Sequence, residues 1–166
     1  MPGEPMARAV QLPLGPSVLP GHAYTLAGDG RTTYHVWSLN HPSPVLPKEG
    51  DAFFARLDAC AELAWALLVE PAERRARRAG PREYAMSFAR EVPGWPFYLR
   101  EYYLRLGPSR GTVSIFSDGA RVLVAAAHSR SKDDPNVERF LDSFGVRLKA
   151  AGREAMLTRR SFDAPR

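Results

Sequence analysis

Between residues 82 and 127 apolar and polar side chains alternate in short runs, the period of strands with one face in a core. Arg82 to Arg90 puts Tyr84, Met86 and Phe88 on one side. Pro96 to Leu106 sets Tyr98, Tyr102, Leu104 and Leu106 against Phe97, Leu99, Tyr103 and Arg105. Thr112 to Phe116 and Arg121 to Ala127 flank Asp118-Gly119, a hairpin signal. Nearer the N-terminus, His22 to Ala27 and Thr32 to Asn40 flank Gly28-Asp29-Gly30-Arg31 in the same way. In the second arm Tyr34, Val36 and Ser38 alternate with His35, Trp37 and Leu39, apolar enough on both sides for an interior strand. Ala7 to Leu12 reads as a short first strand, followed by a proline-rich connection through Pro13, Pro16 and Pro20.

The period changes between Asp51 and Glu70, where Phe53, Phe54, Leu57, Cys60, Ala61, Ala64, Leu67 and Leu68 recur at helical spacing. Pro71 is expected to end or kink this helix, because proline in a helix interior costs about 3 kcal/mol. A second helix should begin at Asp134-Pro135, an acidic cap before proline, and present Val137, Phe140, Leu141 and Phe144 up to Gly145. Strands in runs separated by few helices predict an α+β fold: an antiparallel sheet backed by one long and one shorter helix, an α/β sandwich. Residues 1–148 read as one domain and 149–166 as a basic, partly disordered tail.

Composition adds three constraints. A chain of 166 residues can bury a full core without covalent staples. The lone Cys60 permits neither an intrachain disulfide nor a cysteine zinc site, which suits a reducing, cytoplasmic compartment. No apolar run reaches membrane-spanning length, and Met1 to Gln11 lacks the apolar stretch of a signal peptide.

The net charge of +5 is uneven, with basic residues gathered in 71–110 and in the tail. Arg74, Arg75, Arg77, Arg78 and Arg82 are the densest group, and Arg90, Arg100, Arg105 and Arg110 follow. Phosphates would suit that charge, with Trp95, Tyr98, Tyr102 and Tyr103 as stacking faces. A solvated connector beside aromatics packed in the sheet accounts for the same residues and is favoured. Val92-Pro93-Gly94-Trp95-Pro96-Phe97 offers a second candidate, since Trp95 and Phe97 in a Pro/Gly-bounded loop could anchor a protein partner. A tryptophan covering a core edge is the plainer account.

Catalytic signatures are missing from the sequence. It contains no nucleophile elbow, zincin motif or phosphate-binding loop. His22, His35, His41 and His128 lack the close spacing of a local metal site, and Cys60 falls on the apolar side of the long helix. No catalytic, metal or cofactor site is expected.

A resemblance lies in Gly111-Thr112-Val113, the Asp118-Gly119-Ala120-Arg121 turn, the run Val122 to Ala127, and the helix Val137 to Phe144. This pattern resembles bacterial domains of the superfamily of the photosystem-II extrinsic subunit and the Ran-GTPase nucleotide-release factor, which are α/β sandwiches. The resemblance is topological over roughly 7–146 and motif-like only in its last third. It implies an accessory, chaperone-like or protein-binding module and carries over no catalytic residue. The chain is therefore expected to bind a protein partner through its concave sheet face or the Trp95 loop. A nucleic acid or other anionic polymer, held by Arg74 to Arg82 and the tail, is the alternative partner.

Overall fold

The computed structural model describes residues 6–14, 17–27, 31–40, 50–76, 83–93, 98–118, 121–131, 133–143, 145–150 and 153–158. A meander of β1 (Met6–Leu14), β2 (Ser17–Ala27) and β3 (Thr32–Asn40) is followed by a long helical segment. A second meander then runs through β4 (Tyr84–Pro93), β5 (Tyr98–Leu106), β6 (Ser109–Ser117) and β7 (Arg121–Ser129). The two join because β3 pairs antiparallel with β7, giving one seven-stranded sheet in the order β1-β2-β3-β7-β6-β5-β4. This is the α+β architecture that the alternating runs predict.

The long helical segment covers one face of the sheet. It comprises α1 (Asp51–Ala64), a π-helical turn over Trp65–Val69, and α2 (Glu70–Ala76). Phe53, Leu57, Cys60, Ala64 and Val69 are buried against Leu19, Trp37 and Leu39 from the first meander and Val113, Ile115, Val122 and Val124 from the second. The helix therefore spans the junction between the meanders, and its apolar stripe is their common core.

Of the two expected effects of Pro71, an end is not seen: the helical segment runs through it to Ala76, with the regular winding interrupted just before the proline. The π turn explains why. Glu70 donates its backbone N–H to the Trp65 carbonyl, one residue farther back than an α-helix allows. Widening the turn relieves the crowding that the proline ring would otherwise create. It also turns Val69 back toward the sheet beside Leu68; at roughly 100° per residue, α-helical winding would carry Val69 off the stripe begun by Phe53.

Prolines also fall inside strands where a proline-rich connection was expected. Pro13 lies in the edge strand β1, and Pro20 precedes Gly21, the first β2 residue paired to β3. At these positions a missing N–H removes little from the ladder. Between β5 and β6 the turn is made by Gly107, whose φ of 62° favours glycine.

Strands β4 and β5 carry the same dipeptide, Arg90-Glu91 and Arg100-Glu101. Because they run antiparallel, with the register shifting between Phe88 and Arg90, each arginine lies opposite the other strand's glutamate. On the α1 face Arg100 donates through Nε to Glu91 Oε2 (2.7 Å) and through Nη1 to Asp58 Oδ1 of α1 (2.5 Å). Its guanidinium also lies 5.9 Å from the centre of the Phe54 ring. Burial works against the Arg100 charge, but hydrogen bonds with Glu91, Tyr102 and Asp58 outweigh it and hold the pKa above its ordinary value. On the far face Glu101, only 2% exposed, accepts from Arg90 Nε (2.5 Å) and from Ser114 Oγ (2.8 Å).

The far face is capped over β3 and β7 by α3 (Pro135–Ser143), which buries Val137 and Leu141 against Ala125 and Ala127. Asp134 starts this helix as the sequence predicts, accepting the Asn136 N–H at 3.0 Å. It also accepts the Thr32 hydroxyl at 2.6 Å, which ties the helix start to the first residue of β3. The Thr32 hydrogen bond, followed by the Asn136 N–H, holds the Asp134 carboxyl below its usual range. After α3, β8 (Gly145–Ala150) and β9 (Arg153–Thr158) pair as a hairpin where a partly disordered tail was expected; residues 159–166 lie outside the described residues.

Truncating the buried Arg100 would leave the partly exposed Glu91 without its cation, a loss on the order of 2 kcal/mol, between that of a buried and of a surface pair. Arg100→Ala should therefore lower the urea midpoint far more than Arg74→Ala. Arg74 is exposed and 3.7 Å from Glu70, a geometry worth under about 1 kcal/mol.

Candidate partner-binding face

Arg74 is the one member of the densest arginine group whose side chain is described, and it leans on Glu70. Arg75 lies in α2, with its side chain outside the described set. Arg77, Arg78 and Arg82, together with Trp95 and Phe97, lie outside the described residues. The later arginines diverge. Arg90 and Arg100 are held by the crossed glutamates, and Arg105 pairs with Glu83. Arg110 is exposed, with no ion-pair partner among the described residues.

The aromatics expected as stacking faces separate by strand parity. Tyr98 and Tyr102 point into the α1-side core, whereas Tyr103, on the opposite face, is 64% exposed. Arg105 lies two residues along on the same face, directly opposite Arg110 across the β5–β6 ladder. The turn at Gly107 fixes that pairing, so three residues from two strands form one polar and aromatic patch.

Two adjoining cavities flank this patch, each of about 330 Å³. One extends toward the sheet edge over Ala85 and Ser87 of β4. The other extends toward the start of α3, where Asp133, Asp134 and Glu138 line it. Tyr103, Arg110 and Gly111 line both, so the two form one trough running from β4 across β5 and β6 to α3. It is cationic in the middle, acidic at the α3 end and lined by small residues at the edge.

Gly111 is needed for the strand packing beneath the trough. A Cβ there would fall 1.9 Å from the Ala127 carbonyl oxygen and 2.6 Å from the His128 Cα, so any side chain would force β6 and β7 apart.

His35 and His128, distant in sequence, meet because β3 pairs with β7. Their rings stack with centroids 5.7 Å apart, and His35 stacks in turn on Trp37 at 5.6 Å. The Nδ1 of His35 lies 3.3 Å from the Thr25 hydroxyl, while the buried Nδ1 of His128 has no hydrogen-bond partner among the described residues. Burial, and then repulsion from His128, pushes the pKa of His35 down to about 4; burial lowers that of His128 as well. Both are neutral packing groups near pH 7. His22 lies elsewhere, beside Tyr24, and His41 is outside the described residues. No group of three or more His, Cys, Asp or Glu placed to hold a metal occurs among the described residues. Burial pushes the Cys60 thiol up to about 12, which leaves it unreactive in the core.

Because the folded imidazoles resist protonation, the unfolded chain takes up protons first as pH falls. Their contribution to stability is complete above the ordinary value of 6.5 and is lost as pH falls toward about 4. Thermal melts from pH 7.5 to 4 should show the midpoint falling across that window, with a shallower fall in His35→Phe. Equal slopes for the two proteins would contradict this assignment.

No helix among the described residues is long and apolar enough to cross a membrane. Comparison with known protein families, curated proteins and solved structures finds no match to this chain.

Proposed function

We propose that this chain is a non-catalytic, accessory protein-binding module that holds a segment of its partner in the trough around Tyr103 and Arg110. The observation carrying this reading is an exposed tyrosine beside an arginine with no ion-pair partner among the described residues, both lining the two cavities. Tyrosine and arginine are enriched among residues that dominate binding energy, and they do so where a pocket lets them be desolvated. The acidic α3 end and the cationic centre give the trough a polarity that would orient a bound segment. The resemblance of Gly111 to Val146 to accessory α/β-sandwich domains supports the same class of function. A cytoplasmic site of action belongs to this reading, on the strength of the lone, buried cysteine.

A polyanion held by Arg74 to Arg82 is the competing reading, and the Arg74–Glu70 pair weighs against it by partly neutralising that cluster. Capture from native lysate, with and without nuclease, separates the two. A protein partner should survive nuclease and should be retained at least tenfold less well by Tyr103→Ala and by Arg110→Glu. Retention that disappears with nuclease, or that falls only on neutralising Arg74 and Arg75, would transfer the function to the basic segment.

A further inference from the structure

Among the described residues the sheet is open at β4. In the strand order β4 is terminal, and among the described residues no strand lies beyond it. Natural edge strands are kept from pairing by bulges, prolines, charges or shortness. β4 carries such protection only in its second half, where the register shift after Phe88 is followed by Arg90, Glu91 and Pro93. Its first half, Tyr84-Ala85-Met86-Ser87-Phe88, is regularly paired to β5 on its inner side, uncharged and free of proline.

Phe88 is the residue this arrangement leaves unexplained. It is 59% exposed although it stands on the same face as the core residues Tyr102 and Leu104. One flank meets Tyr102 edge-on, with centroids 6.0 Å apart. A phenylalanine at the rim of an unprotected edge strand is an aggregation hazard unless something covers it.

The segment is complementary to itself. Turned antiparallel about Met86, it sets Tyr84 opposite Phe88 of a second copy, Met86 opposite Met86, and Ala85 opposite Ser87. The large apolar side chains then all share the α1-side face, and only small ones meet on the other. Aromatic pairs facing each other across strands are among the favourable cross-strand contacts. An isologous two-fold contact of this kind uses the β4 edge of both copies and leaves none of it exposed, so the pairing closes at two copies.

We infer that β4 is a homodimerisation edge: two copies pair through Tyr84 to Phe88 about a two-fold axis at Met86, joining their sheets into one of fourteen strands. The occupant is a second copy of this chain, because the same five residues supply both sides of the match. The pairing has a consequence for the far face. Ala85 and Ser87 line the edge end of the trough, so the troughs of the two copies run into one another across the axis. The inference concerns the strand edge and does not depend on what the trough binds.

Five residue pairs make a small interface, well below the roughly 1,600 Å² of a standard one, so the dimer should dissociate in the micromolar range. Sedimentation velocity on the full chain from 1 to 500 µM should show a monomer giving way to a dimer. Phe88→Lys should raise the dissociation constant at least tenfold. Val18→Lys, which removes another exposed apolar side chain (62%) near the opposite sheet edge, should leave it unchanged. A monomer at every concentration would overturn the inference, and so would a dimer that Val18→Lys disrupts and Phe88→Lys does not. Circular dichroism of both variants checks that they are folded. Loss of partner capture in Tyr103→Ala with dimerisation intact, or the reverse, separates this inference from the proposed function.

Discussion

The crossed pairing of Arg90-Glu91 with Arg100-Glu101 constrains the fold more tightly than any apolar contact does. Apolar side chains tolerate a shift between strands as long as the same face remains buried. Buried charges do not, because a carboxylate as enclosed as Glu101 is strongly destabilising without its cation. A slip of one residue between β4 and β5 would set Arg90 across from Arg100 in one direction, or Glu91 across from Glu101 in the other, and break both pairs. The bulge after Phe88 supplies the one offset at which both pairs form, one on each face of the sheet. Arg100 then reaches on to Asp58, so the same register also fixes where α1 lies over the sheet.

Much else follows from that register. The faces of the sheet are covered unequally: the long helical segment spans both meanders on one side, whereas α3 packs over β3, β7 and β6 on the other. The second face is therefore where the trough runs, between α3 and the β4 edge. The position of Ala85 and Ser87 relative to Tyr103 is set by the β4–β5 register and so by the crossed charges. The trough and the β4 edge lie where the sheet is least covered, and both are positioned by the crossed charges.

The fold class was legible because it rests on local periodicity. Tyr98, Tyr102 and Leu104 alternate, Phe53, Leu57, Cys60 and Ala64 recur at helical spacing, and Asp134-Pro135 is a start signal that the structure uses as one. The continuation through Pro71 was not legible, since a π turn depends on where the sheet needs Leu68 and Val69. Arg90, Arg100 and Arg105 read as part of a basic patch because composition counts charges without their partners, and those partners arrive through strand register. The trough was half-visible: parity puts Tyr103 and Arg105 on one face, but adding Arg110 requires the tight turn at Gly107. The meeting of His35 with His128 had no local signal, because it depends on the pairing of β3 with β7.

That pairing also governs the order in which the molecule can be assembled. Thr32 and Ser129, joined near one end of the β3–β7 ladder, are 97 residues apart in the chain. During synthesis β1, β2, β3 and α1 leave the ribosome while the strand that completes their sheet has yet to be made. The inner edge of β3, with Trp37 and Leu39 beside it, must wait through the whole second meander for β7. Closing so long a loop is entropically expensive and is repaid only once the ladder forms. The last strand of the sheet to be translated is therefore its central closing strand, and a chain interrupted before Arg121 would be left with two half-sheets and no junction between them.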